Sequence, residues 1–279
     1  MKKFFNLLIT FIAFSFLFTS CYGSWNIFYE GNNVDNRTGN LLNISPALEY
    51  SGNYNVLVLT DTHFGYSMKE APVQALYNWL EAVKNTPAAP VFAICLGDAV
   101  DTGAQEQYNE YLNFCNTLMT VYGIKVVFNS CGNHDIYQSH WGNWQANCYP
   151  HTSFYKFETA GFSWYSLDTG SGTISRQQYD IFVKAISNDA KPKVVFSHYP
   201  LSEYRLAFGL GETTERNLLI HNFLKNNVKC YMGGHNHYTH YENLGFNDYC
   251  CPSFRFNNSW AVLHINESAG TAVVEFIGG

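Results

Sequence analysis

Apolar runs punctuate the chain, and several of them end on a short polar motif. NVLVL at 55–59 leads to Asp61-Thr62-His63, and VFAICL at 91–96 to Gly97-Asp98-Ala99-Val100-Asp101. KVVFNSC at 125–131 leads to Gly132-Asn133-His134-Asp135, KVVF at 193–196 to Ser197-His198, and VKCYM at 228–232 to Gly233 and Gly234-His235-Asn236-His237. Short runs without polar alternation read as strands buried on both faces. Between them the apolar spacing changes to that of helices. Pro72 opens one helix, with Val73, Leu76, Tyr77, Leu80 and Val83 on one stripe, ending before Pro87. A second spans Gln105 to Tyr122 with Tyr108, Tyr111, Leu112, Cys115 and Leu118 inward; Ser175 caps a third running to Ile186; a fourth covers Glu212 to Asn226. From Tyr249 the pattern is β, with strands at Trp260–Ile265 and Thr271–Ile277 around the turn Glu267-Ser268-Ala269-Gly270. The order predicts an α/β fold in one domain over 54–279. Residues 21–53, rich in Asn, Gly and Ser, read as a tether and irregular lead-in.

The first twenty residues stand apart. Lys2 and Lys3 precede an apolar stretch from Phe4 to Phe18 and then Thr19-Ser20-Cys21, which reads as an export signal over 1–20. The small residues before the cysteine resemble a bacterial lipoprotein signal with Cys21 as the lipidated residue, which implies a membrane anchor and a periplasmic or cell-surface location. Ordinary cleavage near Gly23, giving a secreted protein, is the alternative. The whole chain of 279 residues carries a formal charge of −6, and loss of the signal removes two lysines and no acids. An acidic surface argues against nucleic acid as the main partner. At 47% hydrophobic and 14% charged, the chain has the composition of a folded globule. Aromatics reach 17%, with Trp141, Trp144, Tyr149, Phe154 and Tyr155 crowded into the stretch from Tyr137 to Tyr155, as core rings or pocket walls. The cysteines after Cys21 are odd in number; Cys95, Cys131 and Cys230 read as buried hydrophobes, and Cys148 with Cys250 or Cys251 as a candidate disulfide.

Strand ends are where sites assemble in open α/β sheets, so the motifs can converge although they are far apart in sequence. Asp61 and His63 stand two apart and would point the same way on an extended strand. Asp98 adds a carboxylate able to bridge two ions, Asn133 an amide oxygen, and His198, His235 and His237 three imidazoles. Such a mixed oxygen and nitrogen set suits manganese, iron or zinc. So many polar groups buried without partners would cost several kcal/mol each, at about 2 to 7 apiece. Ser197 and Cys131 read as strand-end residues, not nucleophiles.

The ordered set Asp-x-His, Gly-Asp-x-x-Asp, Gly-Asn-His-Asp, His and Gly-His-x-His resembles the calcineurin-like metallophosphoesterase family, over about Asn55 to His237. The resemblance implies a four-layered α/β/β/α sandwich of two mixed sheets flanked by helices, with the strands after Tyr249 completing the second sheet. It implies two divalent or trivalent metal ions, manganese, iron or zinc. By matching positions, one is held by Asp61, His63, Asp98 and His237, the other by Asp98, Asn133, His198 and His235, with Asp98 bridging. His134 would be the catalytic acid, oriented by Asp101, and Asp135 a support for its loop. The implied activity is hydrolysis of small phosphomonoesters or phosphodiesters by a hydroxide that the two ions share, at about 3.5 to 4 Å separation. Arg205 and Tyr204, in the loop after His198, are candidate substrate-binding residues. Thr102 and Cys131 stand where protein Ser/Thr phosphatases carry arginines, and Asp101 where purple acid phosphatases carry a tyrosine ligand, so neither branch is expected. The alternative function is a surface lipoprotein that binds through its aromatic loops and keeps a vestigial metal site.

Overall fold

The computed structural model describes residues 31–46, 48, 50, 52–66, 70–201 and 213–278. The expected signal at 1–20, Cys21, Tyr204 and Arg205 lie outside the described residues.

Two mixed sheets face one another with helices on their outer sides. The five-stranded sheet runs β12-β11-β2-β3-β4, from β2 (Asn53–Leu59), β3 (Pro90–Cys95), β4 (Val127–Asn129), β11 (Ser259–Asn266) and β12 (Thr271–Gly278). The seven-stranded sheet runs β1-β5-β6-β7-β8-β10-β9. Its strands are β1 (Leu42–Asn43), β5 (Tyr155–Glu158), β6 (Ser163–Ser166), β7 (Lys193–Phe196), β8 (Val228–Gly233), β9 (His240–Asn243) and β10 (Asn247–Cys250). The strands after Tyr249 therefore return to the sheet that carries β2, where β11 pairs antiparallel with β2, and do not extend the sheet that carries β8.

Side-chain alternation along the strands divides the core into three layers. Val56 and Val58 of β2 pack between the sheets with Phe92, Trp164, Phe196 and Met232, while Leu57 and Leu59 face the other way. On that outer side lie α2 (Ala71–Val83), α3 (Gln105–Tyr122) and α4 (Trp141–Asn147). Val195 and Tyr231 of the other sheet, with Leu167 just past β6, meet α5 (Arg176–Ser187) and α6 (Thr213–Lys225). Burial on both faces is why β2, β3, β7 and β8 read as continuous apolar runs.

Helix bounds follow the sequence reading closely. In α3, Leu112 is 37% exposed and Phe114 takes its expected place at 4%. Phe114 lies three residues after Tyr111 and so shares its face, whereas Leu112 is turned by about 100°. Gly123 ends α3 in the left-handed conformation (φ 75°), its N–H bonded to Leu118. Ser175 caps α5, its hydroxyl accepting from the Gln178 N–H.

The expected irregular lead-in is regular in part. Residues Gly31–Thr38 form α1 and Leu42–Asn43 form β1, paired in parallel with β5. The sequence GNNVDNRT is rich in poor helix formers, so tertiary anchors must hold it. Val34 is fully buried, the Ser175 hydroxyl donates to Asp35, and Arg37 donates twice to Asp168, at 2.9 and 3.0 Å. The candidate disulfide is not formed: Cys148, Cys250 and Cys251 are buried free thiols, with Cys148 packed outside the five-stranded sheet and Cys251 between the sheets. Among the described residues no helix is long and apolar enough to cross a membrane.

Candidate metal centre

The motif residues sit on turns beyond the carboxyl ends of β2, β3 and β4 in one sheet and β7 and β8 in the other. These turns converge. His198 Nε2 lies 3.2 Å from Asp98 Oδ2, 3.1 Å from Asn133 Oδ1 and 3.2 Å from His235 Nδ1. His237 Nε2 lies 3.2 Å from Asp61 Oδ1, and His63 Nε2 lies 3.9 Å from Asp98 Oδ2. Three groups place one ligand atom each within 4.8 Å of the others: Asp61, His63 and His237; His63, Asp98 and His134; Asp98, His198 and His235.

The expected extended continuation of β2 through Asp61 and His63 is absent. Asp61 (φ 52°), His63 (43°), Asp98 (51°), His235 (65°) and His237 (56°) are all left-handed. Each such residue costs on the order of 1 kcal/mol or more, and persists only where its surroundings fix it. Here backbone bonds do so: Asp61 N–H donates to Gly97 O and His63 N–H to Asp98 O, both at 3.0 Å. Glycine makes the close approach feasible. A Cβ on Gly132 would lie 2.2 Å from Asp98 Oδ1, and one on Gly234 would lie 1.9 Å from Thr60 Oγ1.

Asp135 supports the loop as expected. Its buried carboxylate accepts from the N–H groups of Asp98 (2.9 Å), Val100 (3.2 Å) and Gly132 (2.8 Å), tying the second motif to the third. His134 Nδ1 lies 2.6 Å from the Asp101 carbonyl and 3.9 Å from its carboxylate, so the backbone oxygen is the closer orienting group. The Asp101 carboxylate lies nearer His63 Nδ1, at 3.4 Å. Ser197 donates its hydroxyl to Tyr199 O, and burial raises the Cys131 thiol well above its usual range, so neither is poised as a nucleophile.

Other neighbours carried no motif. Tyr199 stacks on His235 at 4.0 Å and Phe256 on His237 at 4.8 Å between ring centroids. Adjacency to His198 was the available signal for Tyr199, and none marked Phe256. The turn at α7 (Phe254–Asn257) braces the first motif: the Phe254 N–H donates to Thr60 O, Ser253 Oγ to Asp61 O and Arg255 Nη1 to His63 O.

Protein charges alone polarise the cluster. Burial opposes charge on His198, but Asp98, its hydrogen bond and Asp61 outweigh it and raise the imidazole to about 9. Burial and the neighbouring His198 lower His235 to about 4, and burial lowers His63. Asp61 and Asp98 resist burial through the surrounding histidines and stay below the usual carboxylate range. The cluster fits a cation on its own contacts. Both ring nitrogens of His63 are buried and make no hydrogen bond, a loss of about 1 to 3 kcal/mol per group unless a ligand supplies the partner. Ionised Asp61 and Asp98 and neutral His63 and His235 are already in the forms that bind such ions, whereas His198 would release a proton on binding.

A family model for calcineurin-like phosphoesterases matches residues 54–239. Among solved structures, the chain is similar to a dimetal phosphatase from Danio rerio, with a TM-score of 0.61 and 11% identity over 81% of this chain and 96% of that one. It is also similar to GAP50, the anchor in the inner membrane complex of Plasmodium, with a TM-score of 0.59 and 14% identity over 82% of this chain and 85% of that one. At these identities the likeness is one of fold. No curated protein matches the sequence. The family match, extending over the whole span of converging motifs, establishes that this chain belongs to the calcineurin-like phosphoesterase family.

Proposed function

We propose that the protein is a dinuclear metal-dependent hydrolase of small phosphomonoesters or phosphodiesters. The observation that carries this reading is the buried convergence of mixed oxygen and nitrogen donors around Asp98, with both ring nitrogens of His63 buried and without a hydrogen bond. In this proposal Asp61, His63, Asp98 and His237 hold one ion, and Asp98, Asn133, His198 and His235 hold the other. Manganese, iron or zinc all suit these donors. When bound, two such ions supply Lewis acidity toward phosphoryl oxygens and lower the pKa of coordinated water.

The chain's own groups divide the remaining work. Asp98 sets the spacing, because its carboxylate faces both halves of the cluster. Its Oδ1 accepts from the His134 N–H at 2.8 Å, which joins the bridging group to the loop that bears the acid. A carbonyl can only accept, so the 2.6 Å contact to Asp101 O puts a proton on His134 Nδ1. In the cationic ring Nε2 also carries a proton, which it can deliver to the departing alcohol oxygen, a transfer typically worth about 10² to 10⁴ in rate. Asp135 keeps Asp98 and Gly132 in register while charge shifts beside them.

Hydrolysis of p-nitrophenyl phosphate and bis-p-nitrophenyl phosphate by manganese-loaded and chelator-treated protein, with Asn133→Ala as control, tests the assignment. Chelator-sensitive turnover lost in the variant supports it; no turnover by folded, metal-loaded protein on either ester counts against it. We also propose export with a lipid anchor at Cys21, on the sequence of residues 1–21 alone. Fatty-acid labelling that survives Cys21→Ala would overturn the anchor.

A further inference from the structure

Asn133, besides facing His198, stands in the wall of a cavity that the motifs do not account for. The cavity holds about 610 Å³ and is lined by Asn36 and Arg37 of α1, by Tyr137 and Trp141, and by Ser171 beyond β6. That volume is in the range of about 300 to 1,000 Å³ typical of small-molecule sites. Asn133 alone of these residues belongs to a motif, and α1 lies outside the family match at 54–239.

We propose that this cavity receives the alcohol portion of the substrate, and that this alcohol is an uncharged, hydroxyl-rich ring such as a sugar or nucleoside. The proposal rests on the phosphoesterase reading and gives it a substrate class. Charge is the first argument. Among the described residues of the wall Arg37 is the one with a formal charge, and it is already paired with Asp168 and bonded to Ser171 Oγ at 3.1 Å. An alcohol bearing an ammonium group or a second phosphate would find no uncompensated opposite charge among those described residues. The remaining polar groups, amides of Asn36 and Gln138 and hydroxyls of Ser139 and Ser171, match neutral hydroxyl and amide edges.

Ring faces are the second argument. Tyr137 is 55% exposed, and the turn after it is left-handed at Gln138 (φ 51°) and Ser139 (φ 67°). Trp141 is pinned: it stacks on Trp144 at 5.1 Å and 14°, and the Arg37 guanidinium lies 5.8 Å from its centroid. The exposed Tyr137 ring beside the fixed Trp141 favours a flat or cyclic partner over a flexible chain, at a contribution of about 0.5 to 1.5 kcal/mol per aromatic contact. Position is the third argument. Asn133 Oδ1, 3.1 Å from His198 Nε2, marks where the phosphoryl group meets the cavity. In the reaction a water oxygen bonds to phosphorus, the bond from phosphorus to the alcohol oxygen breaks, and that oxygen takes up a proton and leaves through the cavity.

The test compares phosphate release from glucose 6-phosphate, adenosine 5′-monophosphate and ethyl phosphate by the wild-type protein, Tyr137→Ala and Asn36→Ala. The expected result is a kcat/KM advantage for a ring-bearing ester that falls about tenfold in Tyr137→Ala, chiefly through KM, with ethyl phosphate unchanged. The preferred ester distinguishes sugar from nucleoside. Equal rates on all three esters, or equal losses on all three in the variants, would overturn the proposal. Tryptophan fluorescence titrated with free glucose and adenosine, with Trp141→Phe as control, separates two kinds of failure. Saturable quenching that Tyr137→Ala weakens, without hydrolysis of any ester, keeps the cavity and rejects the phosphoesterase reading. Hydrolysis of ethyl phosphate without ring preference or quenching rejects the cavity alone.

Discussion

Replacing Arg37 with alanine removes the guanidinium from a carboxylate that water cannot reach. The two side chains are 7% and 0% exposed, and the pair joins α1 to the loop after β6 across 131 positions of sequence. Breaking a buried pair from one side costs about 3 to 5 kcal/mol, because the partner's charge stays behind. Asp168 would keep its bonds from Ser153 Oγ at 2.7 Å and Gly170 N–H at 3.0 Å, which places the expected loss near the lower limit, about 3 kcal/mol. For a domain of this size that corresponds to a fall in Tm of about 6 to 12 °C. Thermal and urea unfolding in the presence of a chelator reads the loss without a contribution from metal. Adding Asp168→Asn, which removes the stranded charge, is expected to recover most of it. A change under about 0.5 kcal/mol in Arg37→Ala would refute the reasoning and detach α1 from the domain.

Four further outcomes follow from the geometry. Asn133→Ala and His198→Ala are each expected to lose one metal ion per chain and to lower turnover at least about 10²-fold with unchanged circular dichroism, as read by metal analysis and steady-state assay. Asp135→Asn leaves one of three backbone N–H groups facing an amide donor, so metal affinity measured by chelator competition is expected to fall about 10- to 100-fold. Gly132→Ala drives a methyl into Asp98 and is expected to abolish metal binding, whereas Gly142→Ala, with nothing within 4 Å, is expected to stabilise α4 by about 0.5 to 1 kcal/mol in thermal unfolding. The bonds from Lys191 and Lys156 hold the Glu158 carboxyl below its ordinary 4.5. Its contribution is complete above pH 4.5 and lost as pH falls through the lower folded value, so Lys191→Met is expected to flatten the acid limb of a stability curve.

The sequence was most legible where one physical signal acted alone. Continuous apolar runs marked β2, β3, β7 and β8 because those strands are covered on both faces, and the cap at Ser175 bounded its helix through a local bond. Polar motifs at strand ends were equally visible, and the structure brings Asp61, His63, Asp98, Asn133, His198, His235 and His237 into one cluster. Long-range anchoring was not visible. α1 has no helical signature of its own and depends on the burial of Val34 and on Asp35 and Arg37 meeting partners more than a hundred residues away. The left-handed turns at Asp61 and His63 were hidden for a related reason. Their backbone is set by Gly97 and Asp98 on a neighbouring strand end, and although Asp and His enter the left-handed region more often than most side chains, nothing in their local sequence requires it.

The cluster draws Asp61, His63, Asp98 and Asn133 from one sheet and His198, His235 and His237 from the other. A cation bound among them would clasp the two halves of the molecule at one rim, so that prising the sheets apart would require giving up the ion. Saturation at 100 times the dissociation constant would then add about 2.7 kcal/mol against unfolding. Tight uptake of metal should accordingly arise late in folding, once the sheets have met, and serve as a clock for that meeting.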